Sequence, residues 1–285
     1  MLSEQLRVDL QRTVAAALAE DIGRGDLTAR LVAANTPGRA RVITREEGVL
    51  CGQAWFDACF AALDASARIH WHCQDGDRIR PDQLLCEIEA DARILLTAER
   101  SALNFVQLLS ATATVTRRHV DAVAGTRARI VDTRKTLPGL RLAQKYAVAC
   151  GGGLNHRIGL DDGILIKENH IIAAGSIAAV LAQAREIAPA GVFIEIEVET
   201  LDELEQALAA GATMVLLDNM SLEQLRAAVN LTAGRAILEA SGGVSLDSVR
   251  AIAETGVDRI SIGALTKDVR ALDLSLRHVG AQAAA

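Results

Sequence analysis

The hydrophobic pattern of this chain changes near residue 126, and the change divides the sequence into two regimes. In the first regime, helical spacing of apolar residues covers 6–20 and again runs from 92 to about 124. Between these helices, short stretches alternate apolar and polar residues as strands do, at 40–45, 68–73 and 83–89. The first regime therefore predicts a mixed α/β domain.

In the second regime, short apolar strands alternate with helical patterns. The predicted strands are Arg129–Thr133, Ile164–Lys167, Val192–Val198, Met214–Leu217, Ile237–Ala240 and Arg259–Ile262. The predicted helices between them are 139–150, 177–188, 201–210, 222–232 and 246–254. Continuous apolar strands that alternate with helices are typical of a parallel sheet buried on both faces.

Each predicted strand of the second regime has a polar residue or a glycine at its carboxyl end. In an open doubly wound sheet, ligands gather mainly at the point where the strand order reverses, whereas in a barrel all carboxyl ends converge on one mouth. We therefore predict an α/β protein with a mixed α/β N-terminal domain and a C-terminal α/β barrel. The barrel should have fewer than eight parallel strands, because only six can be read from the pattern.

Adjacent cations follow the first barrel strand, in the run Asp132-Thr133-Arg134-Lys135. Unpaired charges inside a core cost several kcal/mol, so Arg134 and Lys135 must lie at the open end of the strand. Arg157 and Lys167 repeat the pattern a short distance downstream. A cluster of fixed cations at strand ends indicates a substrate with several carboxylates or phosphates.

Two glycine segments follow the last two strands, Ser241-Gly242-Gly243 and Ser261-Ile262-Gly263. Barrels often bind phosphate at this place through backbone N–H groups. Ordinary turn glycines are the alternative for either segment alone. Because the two segments occur at successive strand ends, we favour a phosphate site.

Two carboxylates, Glu197 and Asp218, end adjacent strands at the otherwise cationic mouth. Mg²⁺ typically takes one or two carboxylates together with substrate phosphates, so these residues are candidate metal ligands. The alternative is that they pair Lys or Arg. Glu195 and Glu199 share the strand face of Glu197, and we expect at least one of them to pair a neighbouring cation.

Composition narrows the classes of protein. The chain has 285 residues, a length that suits one or two domains. Of these residues 50% are hydrophobic and 23% are charged, so a folded protein is expected. The net charge of −6 argues against a nucleic-acid surface and makes the local cations stand out. The five cysteines are scattered without a C-x-x-C pair, and the N-terminus has no signal-peptide pattern. We expect a cytoplasmic protein with no membrane segment.

Two other motifs do not indicate a functional site. His70-Trp71-His72-Cys73 has metal-ligand residue types but lacks a second ligand cluster, so we interpret it as structural. Gly151-Gly152-Gly153 does not follow a predicted strand in a G-x-G-x-x-G context, so it is not a dinucleotide fingerprint.

Together the motifs resemble those of the quinolinate phosphoribosyltransferase family, in the order that the family has them. The matching segments are 20–28, 98–105, Asp132-Thr133-Arg134-Lys135-Thr136-Leu137-Pro138-Gly139, Gly153-Leu154-Asn155-His156-Arg157, Leu165-Ile166-Lys167-Glu168-Asn169-His170, Glu195-Ile196-Glu197-Val198-Glu199, Leu217-Asp218-Asn219 and Glu239-Ala240-Ser241-Gly242-Gly243. The family often has Asn where this chain has Gly243, a departure that a backbone contact would survive.

The resemblance implies transfer of a phosphoribosyl group from phosphoribosyl pyrophosphate to quinolinate with decarboxylation, dependent on Mg²⁺, in NAD biosynthesis. It implies an N-terminal domain over 1–110, a barrel over 111–268 and a C-terminal helix over 269–285 that returns to the first domain. It also implies a homodimer with shared active sites, and leaves a higher oligomer open.

The same resemblance assigns roles to individual residues. The catalytic residues would be Lys135, Glu197 and Asp218, and the last two would hold the metal. Arg100 would reach in from the neighbouring subunit. The substrate-binding residues would be Arg100, Thr133, Arg134, Lys135, His156, Arg157, Lys167, Glu197, Asp218, Ser241, Gly242, Gly243, Ser261, Ile262 and Gly263.

Three alternatives stay open at this point. The nearest is a related pyrophosphorylase-like protein of the molybdate-transport type. The second is a non-catalytic phosphate-binding barrel, in which the carboxylates would be dispensable. The third is a barrel aldolase or isomerase with Lys135 or Lys167 as a Schiff base, which the crowding of arginines at the same mouth disfavours.

Overall fold

The computed structural model describes residues 2–279, which separate into two compact units. The helices are α1 (Glu4–Ile22), α2 (Gln53–Leu63), α3 (Ala92–Ala122), α4 (Arg141–Cys150), α5 (Glu168–Ala174), α6 (Ile177–Ile187), α7 (Leu201–Ala209), α8 (Leu222–Thr232), α9 (Leu246–Ala253) and α10 (Ala264–Lys267). None of the helices within residues 2–279 combines the length and the apolar character that crossing a bilayer requires.

The strands alternate with these helices in both units. They are β1 (Pro37–Thr44), β2 (Gly48–Val49), β3 (Arg68–Trp71), β4 (Arg78–Ile79), β5 (Leu84–Asp91), β6 (Arg129–Val131), β7 (Gly163–Ile166), β8 (Phe193–Val198), β9 (Met214–Asp218), β10 (Ile237–Ser241), β11 (Arg259–Ser261) and β12 (Leu274–His278).

The first unit comprises the chain up to Val115, Leu137–Gly152 and the chain from Asp268. Its main sheet has four antiparallel strands in the order β12-β1-β5-β3. Helix α2 contributes the fully buried aromatic side chains Trp55, Phe56 and Phe60 to the core of this unit. Burial of side chains of this size contributes most of the hydrophobic stabilisation of a domain.

The prediction of a C-terminal helix over 269–285 is wrong. Residues 274–278 form strand β12, which pairs antiparallel with β1. Leu274 and Leu276 are 5% and 9% exposed and alternate with Ser275 and Arg277, a period of two that belongs to a strand. The strand pairs with one edge of β1, whose other edge carries β5. The last part of the predicted helix, 280–285, lies outside the described residues.

Helix α4 was predicted to belong to the barrel, and the structure instead groups Leu137–Gly152 with the first unit. The physical reason lies in its packing face. Ala143 and Ala147 are fully buried in the core of the first unit, and the ring of Tyr146 lies 5.7 Å from that of Trp55. A helical pattern shows which face of a helix is apolar but not which domain covers that face.

The second unit comprises Thr116–Thr136 and Gly153–Lys267 and contains six parallel strands in the order β6-β11-β10-β9-β8-β7. All six strands predicted from the sequence are present, with ends that differ by at most two residues. Residues 214–217 of the central strand β9 are all buried, as expected for a strand covered on both faces.

The six-stranded sheet is strongly curved. Leu154 pairs with Val131 on the outer edge of β6, and only two residues later the His156 ring contacts Glu195 on β8, at 2.7 Å. In a flat sheet these two positions would be five strand spacings apart, roughly 24 Å. The strands therefore wrap around a common interior, which confirms the predicted barrel with fewer than eight strands.

Short turns lead from the barrel strands into the helices that follow. Helix α7 begins after Thr200 and α8 after Ser221, and each residue exchanges capping hydrogen bonds with the third residue of its helix. Such reciprocal caps satisfy backbone N–H groups that the first helical turn leaves unpaired. Only one residue separates β8 from the cap of α7, and two separate β9 from the cap of α8. The carboxyl ends of these strands are thereby held in place.

Candidate active site

Asp132 joins the first two motifs of the barrel mouth. Its side chain is fully buried directly after β6, and it accepts hydrogen bonds from Asn155 Nδ2 at 2.7 Å and from the His156 backbone N–H at 2.8 Å. Hydrogen bonds to a buried carboxylate are charge-assisted and strong. The two segments, 132–135 and 155–157, are therefore held as one structure, although they are separated along the chain.

Lys135 lies against the glycine segment that follows β11. A Cβ atom added at Gly263 would lie 2.9 Å from Lys135 Cδ, so a larger residue there would displace this side chain from its present position. Thr266 donates a hydrogen bond to the Lys135 carbonyl at 2.8 Å, and the Thr133 hydroxyl accepts one from the Lys135 N–H at 3.1 Å. The structure thus brings together Thr133, Lys135 and Gly263, as the sequence predicted for one end of the site.

Arg134 and Arg157 lie close together at the mouth. Burial lowers the pKa of the Arg157 guanidinium, and the neighbouring positive charge of Arg134 lowers it further. Arg157 Nη1 donates to the carbonyl of Gly163 at 3.0 Å, which orients the plane of the guanidinium. The carboxylates of Asp162 and Glu195 act on the Arg157 pKa in the opposite direction. An anionic ligand between the two arginines would reduce their mutual repulsion.

Lys167 and Glu197 form an ion pair at the ends of the neighbouring strands β7 and β8. Lys167 Nζ lies 2.9 Å from Glu197 Oε2, and the Glu197 side chain is only 13% exposed. Asp218, at the end of β9, accepts a hydrogen bond from Asn219 Nδ2 at 2.7 Å. Because Glu197 pairs with Leu216 in the sheet, Glu197 and Asp218 lie on the same face of adjacent strands.

The segment after β10 forms a tight turn beside Asn219. Gly242 and Gly243 have positive φ values of 102° and 58°, which L side chains rarely adopt. A Cβ atom on Gly242 would overlap the side chain of Asn219, whose backbone N–H donates to the Ser241 carbonyl at 2.9 Å. The backbone of this turn is accessible at the mouth, as a phosphate site would require.

His156, which the sequence predicts to bind substrate, lies deep in the site. Its side chain is 7% exposed, and Nε2 lies 2.7 Å from Glu195 Oε2. Glu239, on β10, lies 3.8 Å from the same nitrogen. Burial raises the pKa of Glu239 to about 7, and the nearby carboxylate of Glu195 contributes to the shift. His156, Glu195 and Glu239 form the floor of the site.

Four residues of this site were not among the predicted ones. Asp132 and Asn155 stand beside predicted residues, and their buried mutual contact could not be inferred from spacing alone. Glu195 was expected only as a partner for a neighbouring cation, and the structure places its carboxylate against the His156 ring. Glu239 could have been noticed, because it precedes Ser241 by two positions and therefore shares its strand face.

Arg100 lies in the first unit, on α3, and its side chain is exposed. All the other predicted site residues lie in the second unit, at the carboxyl ends of the strands or in the segment 155–157. Ser261 and Ile262 are buried behind the mouth, at 5% and 2% exposure.

Glu197 and Asp218 fit a divalent cation of the Mg²⁺ type by their chemistry. Both offer hard carboxylate oxygens on one face of adjacent strands, and Mg²⁺ usually combines one or two such carboxylates with waters and substrate phosphates. The His156, Glu195 and Glu239 ligand atoms also lie within 4.8 Å of one another, but all three residues are buried in the interior. Glu197 and Asp218 lie at the strand ends instead, where they could hold a cation next to substrate phosphates.

The fold and the site define a class of protein: an α/β barrel whose mouth combines two arginines, two lysines, carboxylates and glycine turns. Comparison with known families agrees with this class. Residues 26–110 match the N-terminal domain of quinolinate phosphoribosyl transferase, and residues 112–277 match its C-terminal domain. The chain belongs to the quinolinate phosphoribosyl transferase family.

Individual relatives are similar over nearly the whole chain. The nicotinate-nucleotide pyrophosphorylase [carboxylating] of Mycobacterium leprae is 44% identical and covers 93% of this chain and 95% of its own length. A probable enzyme of the same name from Bacillus subtilis is 43% identical, over 90% of this chain and 89% of its own. The structure of the nicotinate-nucleotide pyrophosphorylase from Francisella tularensis superposes with a TM-score of 0.93 at 47% identity, covering 95% and 96% of the two chains.

Proposed function

We propose that this chain is a cytoplasmic enzyme that transfers the phosphoribosyl group of phosphoribosyl pyrophosphate to the ring nitrogen of quinolinate. The products are nicotinate mononucleotide, pyrophosphate and CO₂, as part of NAD biosynthesis. The observation that carries the proposal is the pair of half-buried arginines, Arg134 and Arg157, beside the lysines and glycine turns of one barrel mouth. Relatives that are 42–44% identical over most of the chain carry the same activity in their names.

The charges of the site suit both substrates. Quinolinate is a dianion, and each of its carboxylates can accept a bidentate pair of hydrogen bonds from a guanidinium, so Arg134 and Arg157 would bind it. Phosphoribosyl pyrophosphate carries more negative charge still. Lys135, with the glycine turns at Gly242 and Gly263, would bind its phosphate groups.

Catalysis would depend on positioning and electrostatics. Departure of pyrophosphate leaves a ribose with oxocarbenium character, which the carboxylates Glu197 and Asp218 can stabilise while the arginines hold the ring nitrogen of quinolinate in line. Lys135 would stabilise the negative charge that develops on the leaving group. After the new C–N bond forms, loss of CO₂ leaves a carbanion at C2 of the ring, next to the positive ring nitrogen, and a proton then replaces the carboxylate.

A bound Mg²⁺ would supply neutralisation of the pyrophosphate charge. Glu197 and Asp218 would hold it, because they offer carboxylate oxygens on one face of two adjacent strands. The ion pair between Lys167 and Glu197 would orient the Glu197 carboxylate.

The direct test is turnover with purified, folded protein. Incubation with quinolinate, phosphoribosyl pyrophosphate and Mg²⁺ should release CO₂ and pyrophosphate in equal amounts, with nicotinate mononucleotide as the third product. Nicotinate in place of quinolinate should give far less product, and this comparison also separates the proposal from the molybdate-transport type of protein. Absence of both CO₂ and pyrophosphate would overturn the proposed function.

We further propose that the enzyme is a homodimer in which Arg100 of one subunit contributes to the barrel mouth of the other. The proposal is supported by the exposed position of Arg100 on α3, in the unit that does not contain the barrel. In a dimer with two-fold symmetry, the first unit of each subunit would face the barrel of its partner, so both sites would be equivalent.

Subunit mixing tests the shared site. Arg100→Ala and Lys167→Ala should each be inactive alone, and their mixture should recover about a quarter of wild-type activity after random re-pairing, since half the dimers would carry one intact site. The matched control is a mixture of Arg134→Ala and Lys167→Ala. Those two residues lie in the same barrel, so no site should be restored. Equal failure of both mixtures, with subunit exchange verified, would rule out sharing.

A further inference from the structure

We propose that Glu195 is a positioning residue that fixes Arg157 at the barrel mouth by selecting the tautomer of His156. The inference rests on the proposed function only in giving Arg157 the role of binding a carboxylate. It is based on a continuous series of hydrogen bonds from the barrel interior to the backbone of Arg157.

The first hydrogen bond of this series lies in the barrel interior. Glu195 is on β8, its side chain is fully buried, and its Oε2 atom lies 2.7 Å from His156 Nε2. The second contact leads outward, because the backbone N–H of Arg157 donates to His156 Nδ1 at 2.7 Å. One imidazole ring therefore connects a buried carboxylate to the main chain of the arginine.

These two contacts determine the protonation of the ring. The Arg157 N–H can only donate, so His156 Nδ1 must keep its lone pair. A neutral imidazole has one N–H, which must then be on Nε2, facing the carboxylate of Glu195. A carboxylate has no proton to donate and can only accept a hydrogen bond. The Nε2–H tautomer is therefore the one that satisfies both neighbours. An imidazolium would place one N–H against another at Nδ1.

The ring has little freedom to adopt another orientation. Its edge packs on Phe193, with ring centroids 5.4 Å apart and planes at 77°. The His156 backbone N–H is already held by Asp132 at 2.8 Å. Rotation of the ring by half a turn would replace both nitrogens by carbons and break the hydrogen bonds to Glu195 and Arg157 together.

The consequence at the mouth is that Arg157 is held at two points. Its backbone N–H is held by His156 Nδ1, and its guanidinium Nη1 by the Gly163 carbonyl at 3.0 Å. A guanidinium that must offer two parallel hydrogen bonds to a carboxylate loses binding energy when its plane rotates. Glu195 touches no substrate in this arrangement and acts through His156.

Two substitutions separate a hydrogen-bonding role of Glu195 from a purely electrostatic one. Glu195→Gln removes the charge but keeps an oxygen, now that of the amide, at the same distance from the backbone. Because His156 Nδ1 must keep its lone pair, Nε2 carries the proton, and the amide oxygen would face Nε2–H to accept its hydrogen bond. Glu195→Asp keeps the charge but is one methylene shorter. We expect Glu195→Gln to hold the KM for quinolinate within about threefold, and Glu195→Asp to raise it by about 10- to 100-fold, with the KM for phosphoribosyl pyrophosphate unchanged.

The spectroscopic readout is the protonation of the ring itself. In protein labelled with ¹⁵N-histidine, His156, assigned by loss of its signals in His156→Gln, should show a protonated Nε2 and an unprotonated Nδ1. Glu195→Gln should preserve this pattern, and Glu195→Asp should weaken or shift it. Glu239→Gln is the matched control, since Glu239 is also fully buried but lies 3.8 Å from Nε2, beyond hydrogen-bond distance, and it should leave the pattern intact.

Two results would overturn the proposal: a wild-type His156 protonated at Nδ1, or a Glu195→Asp variant that outperforms Glu195→Gln with quinolinate. The wild-type spectrum decides the matter even if a variant fails to fold. The spectrum also does not depend on turnover, so an inactive wild-type protein with the Nε2–H tautomer would contradict the proposed function and not the tautomer.

Discussion

Replacing Arg157 by lysine should lower kcat/KM for quinolinate about 30- to 1,000-fold. This decrease corresponds to a loss of about 2–4 kcal/mol of transition-state stabilisation. The substitution keeps the positive charge but loses the planar fork that binds a carboxylate through two parallel hydrogen bonds. It also loses the contact from Nη1 to the Gly163 carbonyl, which orients the side chain. Steady-state rates with varied quinolinate at saturating phosphoribosyl pyrophosphate measure the effect.

The control for this prediction is Arg250→Lys. Arg250 is an exposed arginine on α9 that pairs with Glu254, the residue directly after that helix, so its replacement should change kcat/KM by less than about twofold. If Arg157→Lys also falls within that range, the assignment of Arg157 to a carboxylate of quinolinate is wrong.

Asp218→Ala should lower kcat about 100- to 1,000-fold, the usual consequence of losing one group that stabilises charge in a transition state. Glu197→Ala should have an effect of similar size, because its carboxylate lies on the same face of the adjacent strand. Both variants should also need a higher Mg²⁺ concentration for half-maximal rate. Titration of Mg²⁺ against initial rate measures both effects in one experiment.

Glu199→Ala serves as the control for the two carboxylate variants. Glu199 has the same parity on the chain as Glu197 but is exposed beyond the end of β8. Its replacement should leave both kcat and the Mg²⁺ requirement close to wild type. An Asp218→Ala variant with normal turnover and a normal Mg²⁺ requirement would contradict the catalytic and metal-binding roles assigned to Asp218.

The barrel could be predicted from the sequence because hydrophobic periodicity is a local property. Each of its strands is short and apolar, helical patterns lie between them, and tertiary packing moves the strand ends by no more than two residues. The same reasoning shows where polar side chains leave the core. Arg134 and Asp218 were placed at strand ends for this reason, and both lie there.

The errors share a different physical origin. Strand β12 has only five residues, too few for a period to be decisive, and the predicted helix came from the family resemblance instead. Helix α4 was predicted over 139–150 and observed over Arg141–Cys150, but it was placed in the wrong unit. An amphipathic pattern identifies an apolar face, while the element that covers the face is a property of the whole chain.

By itself, the sequence determined the barrel, the parity of each strand and the identity of the residues at the mouth, since these depend on the spacing of side chains along a regular backbone. Only the tertiary structure decided which of those side chains meet. The contacts of His156 with Glu195, of Asp132 with Asn155 and of Lys167 with Glu197 each join residues that lie 39, 23 and 30 positions apart. Their distances depend on how far the sheet curves, and that curvature results from the packing of all six strands together.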